Sequence, residues 1–254
     1  MSGGSHRYGH QFRPEFSRIH LDRDLRWVVP FPIRYVVAVT GKRFAGKSAA
    51  LAYLSEKKGF DVYSLATVLR EQAISRGIPL EPRSRLQDLG DELRAGNNDP
   101  ALLARLTLRR IHREHLDQRG SVEPPRRIAV GGFKRLEELR IFENLGTCAQ
   151  LNIDADEEIR VRRAIASGIM AREVTHIEPT PELDAKAFRE YIERRDLEGH
   201  DNRWTDGFGQ AVGEVVAARS AIQIANNESI AALDASLDEE IRKLDDKYRA
   251  FLAY

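Results

Sequence analysis

The sequence predicts an α/β protein in which helices cover both faces of a parallel sheet. From Arg34 onward, short runs rich in β-branched residues alternate with longer stretches of helical character, the pattern of strands joined by crossover helices. A glycine-containing loop connects the first of these runs to the first helical stretch. Glycine also follows several helical stretches where helices commonly end, at Gly59, Gly77, Gly96 and Gly120.

The predicted elements alternate along most of the chain. Five short runs are expected to be strands, over Tyr35–Thr40, Asp61–Ser64, Arg127–Val130, Cys148–Ile153 and Ala221–Ile224. Helices are expected over Lys47–Lys58, Leu65–Arg76, Leu86–Ala95, Ala101–Leu116, Leu136–Asn144, Asp156–Ala166, Pro181–Arg195 and Gln210–Arg219. A last helix at about 229–253 is rich in Asp, Glu, Lys and Leu. We favour a helix that caps the domain, and an oligomer contact is the alternative.

The first 33 residues differ from the rest of the chain. They mix His, Arg and aromatic residues without clear periodicity, and Pro30 and Pro32 interrupt their end. We therefore expect an N-terminal arm at 1–33 and one domain at 34–254. The arm is interpreted as a tail that packs across the domain, and an arm that binds a partner or covers a substrate is the alternative.

Composition limits the classes of partner. The 254 residues carry a net charge of +1, which gives no overall attraction to nucleic acid or membranes. No segment approaches the roughly 18 apolar residues of a membrane span, and the N-terminus lacks the apolar core of a secretion signal. The single cysteine, Cys148, excludes an internal disulfide and fits a reducing compartment. We expect a cytoplasmic protein with Cys148 buried.

The strongest motif is the segment Gly41–Ser48, which fits the pattern G-x-x-x-x-G-K-[ST]. A predicted strand precedes it and a predicted helix comes after it, as the motif requires. Glycines let main-chain N–H groups turn inward around phosphate oxygens, and the helix adds its positive N-terminal end. The alternative is a glycine turn of structural importance alone. We expect a nucleoside triphosphate to be bound by Gly41, Lys42, Arg43, Phe44, Ala45, Gly46, Lys47, Ser48 and Ala49.

Two members of this segment have specific roles in the pattern. Lys47 is expected to contact the β- and γ-phosphates and so to act as a catalytic cation, while the Ser48 hydroxyl is expected to ligate Mg²⁺. A loop of this kind predicts that a nucleoside triphosphate is bound, but it does not predict which reaction follows.

Arginines after the second predicted strand are candidates for an acceptor site. Arg70, Arg83 and Arg85 are expected to face the loop and hold an anionic acceptor, because guanidinium groups bind phosphate as a fork. The alternative is that these are solvated charges on helix surfaces.

A third cluster begins near residue 160 and suggests a lid at about 160–195. Arg163 and Arg172 are expected to be catalytic, closing on the transferring phosphoryl group, and Arg160 is a weaker candidate. Gly168 and the Pro-containing segment 178–181 suit a mobile connection. A salt-bridged helix face is the alternative, since Glu157, Glu158 and Glu173 are near.

The order of these motifs resembles the adenylate-kinase-like P-loop kinases. The similarity is greatest to the deoxynucleoside monophosphate kinase and dephospho-CoA-kinase-like branch. It runs from about Val36 to Leu244. Its carriers are the glycine loop, Leu69–Glu71 with Gly77-Ile78, Arg85–Gly90 with Leu93-Arg94, Arg160 and Arg163, Glu193–Glu198, and Ile222–Asn227.

The resemblance implies a three-layer α/β/α core, Mg²⁺ and ATP as phosphoryl donor, and transfer to a nucleotide-like acceptor. It implies that Arg70 and Arg85 hold the acceptor, that Gln87 and Asp88 hydrogen-bond its base or sugar, and that Lys134 stands where the family has an acceptor-binding arginine. Arg163 and Arg172 would serve the lid.

The chain departs from the family pattern after the third strand. The family usually has Asp-Gly-Ile-Arg there, whereas this chain has Gly131-Gly132-Phe133-Lys134. The Asp that helps to hold the Mg²⁺ shell is therefore absent, and Asp154 or Asp156 is the candidate replacement.

The leading hypothesis is a phosphotransferase that uses Mg²⁺ and ATP on a deoxynucleoside monophosphate or similar acceptor. The alternatives are a nucleotide sensor or regulatory subunit with little turnover, and a kinase of a modified DNA base or coenzyme precursor. A homodimer, or a protein partner bound through the N-terminal arm or the C-terminal helix, belongs to the regulatory alternative.

Overall fold

A computed structural model of the chain describes residues 33–81, 83–116, 126–145, 147–167 and 221–249, with single positions at 186, 189, 190 and 215. Its strands are β1 Ile33–Thr40, β2 Asp61–Ser64, β3 Arg126–Gly131, β4 Cys148–Asp154 and β5 Ile222–Ala225. Its helices are α1 Lys47–Glu56, α2 Leu65–Ser75, α3 Arg83–Gly96, α4 Leu102–Leu116, α5 Leu136–Glu143, α6 Glu157–Ala166 and α7 Ile230–Arg249.

The five strands form one parallel sheet in the order β2-β3-β1-β4-β5. This confirms the predicted α/β class and the parallel five-stranded sheet. β1 lies at the centre, with Val39 beside Gly131 of β3 and beside Leu151 of β4. The loops that leave the carboxyl ends of β1, β3 and β4 are therefore neighbours, and ligands of open parallel sheets bind at this edge.

Helices cover both faces of the sheet because successive strand side chains point to opposite sides. Val36 and Ala38 of β1 pack with residues of α2, α3, α4 and α5. Tyr35, Val37 and Val39 pack with residues of α1 and α7. The result is three layers with a hydrophobic core on each side of β1.

The helix α7 caps one face of the sheet. Its buried residues recur every three or four positions, at Leu233, Leu237, Ile241, Leu244 and Tyr248, which is one stripe of a helix. Asp245 on the same helix accepts a hydrogen bond from the Tyr35 hydroxyl at 3.1 Å and from Arg127 Nη1 at 3.1 Å. These contacts attach α7 to the amino ends of β1 and β3.

Some predicted boundaries differ from the structure. α3 begins at Arg83 rather than Leu86, because its first turn carries polar residues that lie outside the apolar stripe used to predict it. Ile33, placed in the N-terminal arm, is the first residue of β1. The rest of the arm lies outside the described residues, as do residues 168–185 and most of the helices expected over 181–195 and 210–219. Among the described helices, none has both the length and the apolar character needed to cross a membrane.

Candidate functional site

The loop between β1 and α1 has the backbone that the phosphate-binding motif predicts. Gly41 and Gly46 have φ angles of 141° and 108°, which residues with a side chain rarely adopt, and Phe44 has φ 60°. A Cβ at Gly41 would overlap the carbonyl oxygen of Ile153 in β4. A Cβ at Gly46 would overlap the side-chain amide nitrogen of Asn226. Gly41 and Gly46 are therefore favoured over other residues for two reasons: their φ angles are positive, and a neighbouring atom leaves no room for a Cβ.

The start of α1 is suited to bind an anion. Gly46 is its N-cap residue, no side chain caps it among the described residues, and the first turn carries no acidic residue. The first N–H groups of a helix have no partner within the helix and lie at its positive end. Ser48 is exposed in this first turn, where its hydroxyl is accessible to a ligand.

Lys47 folds back over the loop. Its Nζ donates hydrogen bonds to the carbonyl oxygens of Gly41 at 2.8 Å and Lys42 at 2.6 Å. The ammonium group is thus held on the same short loop that supplies the main-chain amides. Phosphate oxygens bound by those amides would lie within reach of this charge.

Arg160 and Arg163 of α6 contact the main chain of the loop. Arg160 is buried, and its Nη1 donates to the carbonyl oxygen of Arg43 at 3.3 Å. Arg163 Nη1 donates to the carbonyl oxygen of Ala45 at 3.3 Å, and its Nη2 donates to that of Asn226 at 2.9 Å. The sequence placed both arginines at the start of a lid. In the structure they belong to a helix packed on the loop, while Arg172 lies outside the described residues.

Asn226 and Asn227 come directly after β5 and were not among the predicted site residues. The Asn226 side chain is buried, and its Nδ2 donates to the carbonyl oxygen of Ala45 at 2.7 Å. Asn227 Oδ1 accepts from the main-chain N–H of Asp156 at 2.8 Å. In the sequence, what pointed to these two residues was that the segment Ile222–Asn227 lies at the last predicted strand.

A separate cavity of about 250 Å³ lies between α2, α3 and the loop after β3. Its polar lining includes Arg70, Gln87 and Lys134, all three predicted acceptor residues. Leucines from α2 and α3, including Leu69 and Leu86, supply an apolar wall. The cavity therefore combines three cationic side chains, of Arg70, Arg94 and Lys134, and the carboxylate of Glu81 with a surface that suits a flat apolar group.

Two predicted acceptor residues are placed elsewhere. Arg85 and Asp88 are exposed and do not line this cavity. They are three apart on α3 and share its outer face, whereas Gln87 and Gly90 lie on the face toward the cavity. The sequence predicted the helix but not its rotation about its own axis. The side chain of Arg83 lies outside the described residues.

A buried ion pair joins the two walls of the cavity. Arg94 of α3 is 1% exposed and Glu138 of α5 is 0% exposed, and Arg94 Nη2 lies 2.7 Å from Glu138 Oε1. Glu138 Oε2 also accepts the main-chain N–H of Lys134 at 2.8 Å and that of Arg135 at 3.3 Å. Glu138 thereby fixes the loop that carries Lys134, and Arg94 ties this loop to α3.

Asp91 extends the same network. Arg94 Nη1 donates to Asp91 Oδ1 at 2.9 Å. Burial raises the pKa of Asp91 to about 6, and the nearby Arg94 guanidinium opposes part of that rise. Arg94 therefore donates hydrogen bonds to two carboxylates, those of Asp91 and Glu138. The sequence analysis named none of Asp91, Arg94 and Glu138 as a site residue.

The last residue of β3, Gly131, is the point at which the chain departs from the pattern of the kinases that its sequence resembles. A Cβ at Gly131 would lie 2.7 Å from Leu51 Cδ1 of α1. A side chain at position 131 would therefore require the end of the Leu51 side chain to move. Asp154 and Asp156, the candidate replacements, are both exposed. Among the described residues, no group of three or more His, Cys, Asp or Glu side chains is arranged to hold a metal ion.

The chain is similar in sequence to curated proteins that are described as UPF0200 proteins. No protein-family model matches it. It is 27% identical over 130 residues to a UPF0200 protein of Hyperthermus butylicus, a match that spans 51% of this chain and 63% of that relative. This chain therefore matches less than two thirds of the relative's length.

The solved structures that are similar to the chain include one from Thermus thermophilus and one from Acinetobacter baumannii. TT1252 from Thermus thermophilus has a TM-score of 0.47 and 21% identity, covering 83% of this chain and 97% of its own. Shikimate kinase from Acinetobacter baumannii, in complex with shikimate, has a TM-score of 0.44 and 14% identity, covering 84% of this chain and 94% of its own. The sheet order and the loop between β1 and α1 establish the fold by themselves, as a parallel three-layer α/β/α core whose first strand leads into the glycine loop Gly41–Ser48.

Proposed function

We propose that the protein is a phosphotransferase that uses Mg²⁺ and ATP and phosphorylates a nucleoside monophosphate or a similar nucleotide-like acceptor. One observation carries the proposal. The phosphate-binding loop leaves β1, the cavity loop Gly132–Lys134 leaves β3, and these strands are parallel neighbours in the sheet. An anion-binding loop and a cation-lined cavity therefore open at the same edge, which is the arrangement that donor and acceptor of one phosphoryl group require.

The donor side would use the main chain of Gly41–Ala49. Its amides and the N-terminus of α1 bind phosphate oxygens, and Lys47 leaves the carbonyl oxygens of Gly41 and Lys42 to contact the β- and γ-phosphates. Ser48 would hold Mg²⁺, which supplies charge neutralisation during transfer. Phosphoryl transfer proceeds through a loose transition state, so alignment and positive charge supply most of the catalysis.

The acceptor side would use the cavity between α2 and α3. Arg70 and Lys134 bind the anionic group of the acceptor, and the leucine wall packs against its ring. Gln87, which lies in the lining, hydrogen-bonds the ring edge. An acceptor that already carries a phosphate needs no general base. Arg163 and Arg172 would neutralise charge on the transferring group once they approach it.

A second candidate function is nucleotide binding with little turnover, as in a sensor or regulatory subunit. The packing of Leu51 against Gly131 favours it, because the carboxylate that shapes the Mg²⁺ shell in the similar kinases has been replaced by a hydrophobic contact. Such a protein would bind ATP tightly and transmit its bound state to a partner.

The test is a transfer assay with γ-labelled ATP, Mg²⁺ and a panel of the four deoxynucleoside monophosphates and the four ribonucleoside monophosphates. We expect labelled diphosphate from at least one acceptor, and a loss of about 10²-fold or more in Lys47→Met, because a charge-stabilising donor contributes on that scale. The double variant Gly131→Asp with Leu51→Ala restores the carboxylate and makes room for it. If wild type and the double variant bind ATP yet form no Lys47-dependent product, the regulatory function replaces the phosphotransferase.

A further inference from the structure

The side chain of Asn226, which lies outside the phosphate-binding loop, makes a short hydrogen bond to the main chain of that loop. Asn226 is 5% exposed, and its Nδ2 donates to the carbonyl oxygen of Ala45 at 2.7 Å across 181 positions of sequence. Its Oδ1 accepts from Arg163 Nη2 at 3.2 Å. Its own main-chain N–H donates to the carbonyl oxygen of Asp154 at 2.7 Å, which fixes Asn226 at the end of β4. The side-chain amide is therefore held at both ends.

These bonds determine how one peptide group of the loop is oriented. The Ala45 carbonyl oxygen receives Asn226 Nδ2 and also Arg163 Nη1 at 3.3 Å. In a planar trans peptide the C=O and the following N–H point in opposite directions. Two donors that hold the Ala45 oxygen on the side of Asn226 therefore direct the N–H of Gly46 to the other side.

The amide of Gly46 is one of the donors expected to bind phosphate, since Gly46 is the N-cap of α1. The same residue has φ 108°, and Asn226 Nδ2 occupies the place that a Cβ at Gly46 would take. Because Gly46 has no side chain, the side-chain amide of Asn226 can reach the loop.

We propose that Asn226 is a positioning residue of the phosphate-binding loop, which sets the Ala45–Gly46 peptide so that the Gly46 N–H faces the donor phosphates. The inference rests on the proposed use of this loop for ATP. Asn226 itself touches no phosphate. It acts through the main chain, and Arg163 ties it to α6. Affinity for ATP then depends on a residue at the far end of the domain sequence.

Asn227 supplies a matched control. It has the same chemistry, is the next residue in the chain and also makes a side-chain hydrogen bond, but to the main-chain N–H of Asp156 rather than to the loop. Removing its amide perturbs the same connection after β5 and leaves the Ala45 carbonyl bonds in place.

The experiment measures the dissociation constant of a fluorescent N-methylanthraniloyl ATP with Mg²⁺ for wild type, Asn226→Ala and Asn227→Ala. We expect Asn226→Ala to weaken binding about tenfold, the effect of losing one buried hydrogen bond that orients a ligand group. Asn227→Ala is expected to stay within about twofold. Asn226→Ser, whose hydroxyl is too short to reach Ala45, is expected to behave as Asn226→Ala and serves if the alanine variant does not fold.

A second readout separates positioning from a general loss of stability. The ¹⁵N–¹H signal of Gly46 is expected to shift on addition of the analogue in wild type and in Asn227→Ala, and to shift much less in the Asn226 variants. Variants that melt at lower temperature but bind the analogue as tightly as wild type would overturn the inference.

If wild type itself does not bind the analogue, both this inference and the proposed function fail. If wild type binds, the Asn226 variants bind weakly and no acceptor is phosphorylated, the proposed reaction fails and the role of Asn226 stands.

Discussion

The phosphate-binding loop and the acceptor cavity are built in different ways. The loop is a run of eight consecutive residues whose proposed function rests on main-chain amides and on one lysine of the same run. The cavity is assembled from side chains of α2, α3 and the loop after β3, which are as far apart in sequence as Leu65 and Lys134. A site made from main-chain groups can be recognised from a short sequence motif. A site made from side chains of several helices cannot, because it depends on how those helices pack.

The two regions also differ in the interactions that hold them. The loop depends on space that only glycine leaves free, beside Ile153 and Asn226. The cavity depends on a charged pair, Arg94 and Glu138, removed from water. Changes in one region are therefore expected to leave the other largely intact, and three experiments test that separation.

The largest effect is expected for the buried pair. Glu138→Leu and Arg94→Met should each lower the free energy of unfolding by about 3–5 kcal/mol, because each takes a hydrogen-bonded partner from a buried charge. The double variant should regain only part of that loss, since it removes both members of the pair but still leaves Asp91 without Arg94 and the N–H groups of Lys134 and Arg135 without Glu138. Urea unfolding monitored by circular dichroism measures all three.

The same variants test whether the phosphate-binding loop and the acceptor cavity can be changed independently. The double variant should bind the fluorescent ATP analogue as wild type does, because neither residue contacts the loop. Its acceptor KM should rise, because the amides of Lys134 and Arg135 lose the Glu138 carboxylate that fixes them. A double variant whose loss equals the sum of the two single losses would show that the two side chains are not energetically coupled.

An intermediate effect is expected at the first motif glycine. Gly41→Ala should cost about 1–3 kcal/mol in stability from backbone strain, with further cost because the new Cβ overlaps the Ile153 carbonyl. Binding of the ATP analogue should be lost in the same variant. Calorimetric melting and the fluorescence titration give the two values.

Gly96 provides the control for this substitution. It ends α3, and an added Cβ meets nothing within 4 Å. Gly96→Ala should leave ATP binding unchanged and alter stability by less than about 1 kcal/mol. Equal effects at Gly41 and Gly96 would contradict the close approach of the loop to β4.

The smallest effect is expected at the start of α2, the helix that carries Arg70. Ser64 is its N-cap, and its Oγ accepts from the N–H of Ala66 at 3.3 Å. Ser64→Ala should cost about 1 kcal/mol and raise the acceptor KM slightly, with no change in ATP affinity. Ser75→Ala, at the other end of the helix, is the control and should stay within about 0.5 kcal/mol. A change in ATP affinity in Ser64→Ala would show that the two regions are not separate.

Much of the fold was predictable because its signals are local. The alternation of short β-rich runs and helical stretches predicted the five strands to within one residue at most ends. The glycines of the motif were expected to let the main chain turn, and Gly41 and Gly46 both have positive φ. The start of α3 was missed because its first turn lies outside the apolar stripe.

The candidate site was predictable only in part. Arg70, Gln87 and Lys134 were expected near the acceptor and line one cavity. Arg85 and Asp88 were expected there too, but the rotation of α3 directs them outward. That rotation is decided by which of its faces packs against α2, α4 and the sheet, and a helix sequence with several polar faces does not specify it.

The parallel α/β class and the glycine loop could be predicted from the amino-acid sequence, because periodicity and a contiguous glycine motif act over a few residues at a time. Packing between distant elements sets three further contacts: Asn226 holds the Ala45 carbonyl, Glu138 holds the loop of Lys134, and Leu51 lies beside Gly131. These contacts join residues from different elements. Their geometry is set by the packing of helices on both faces of the sheet, which no short stretch of sequence contains.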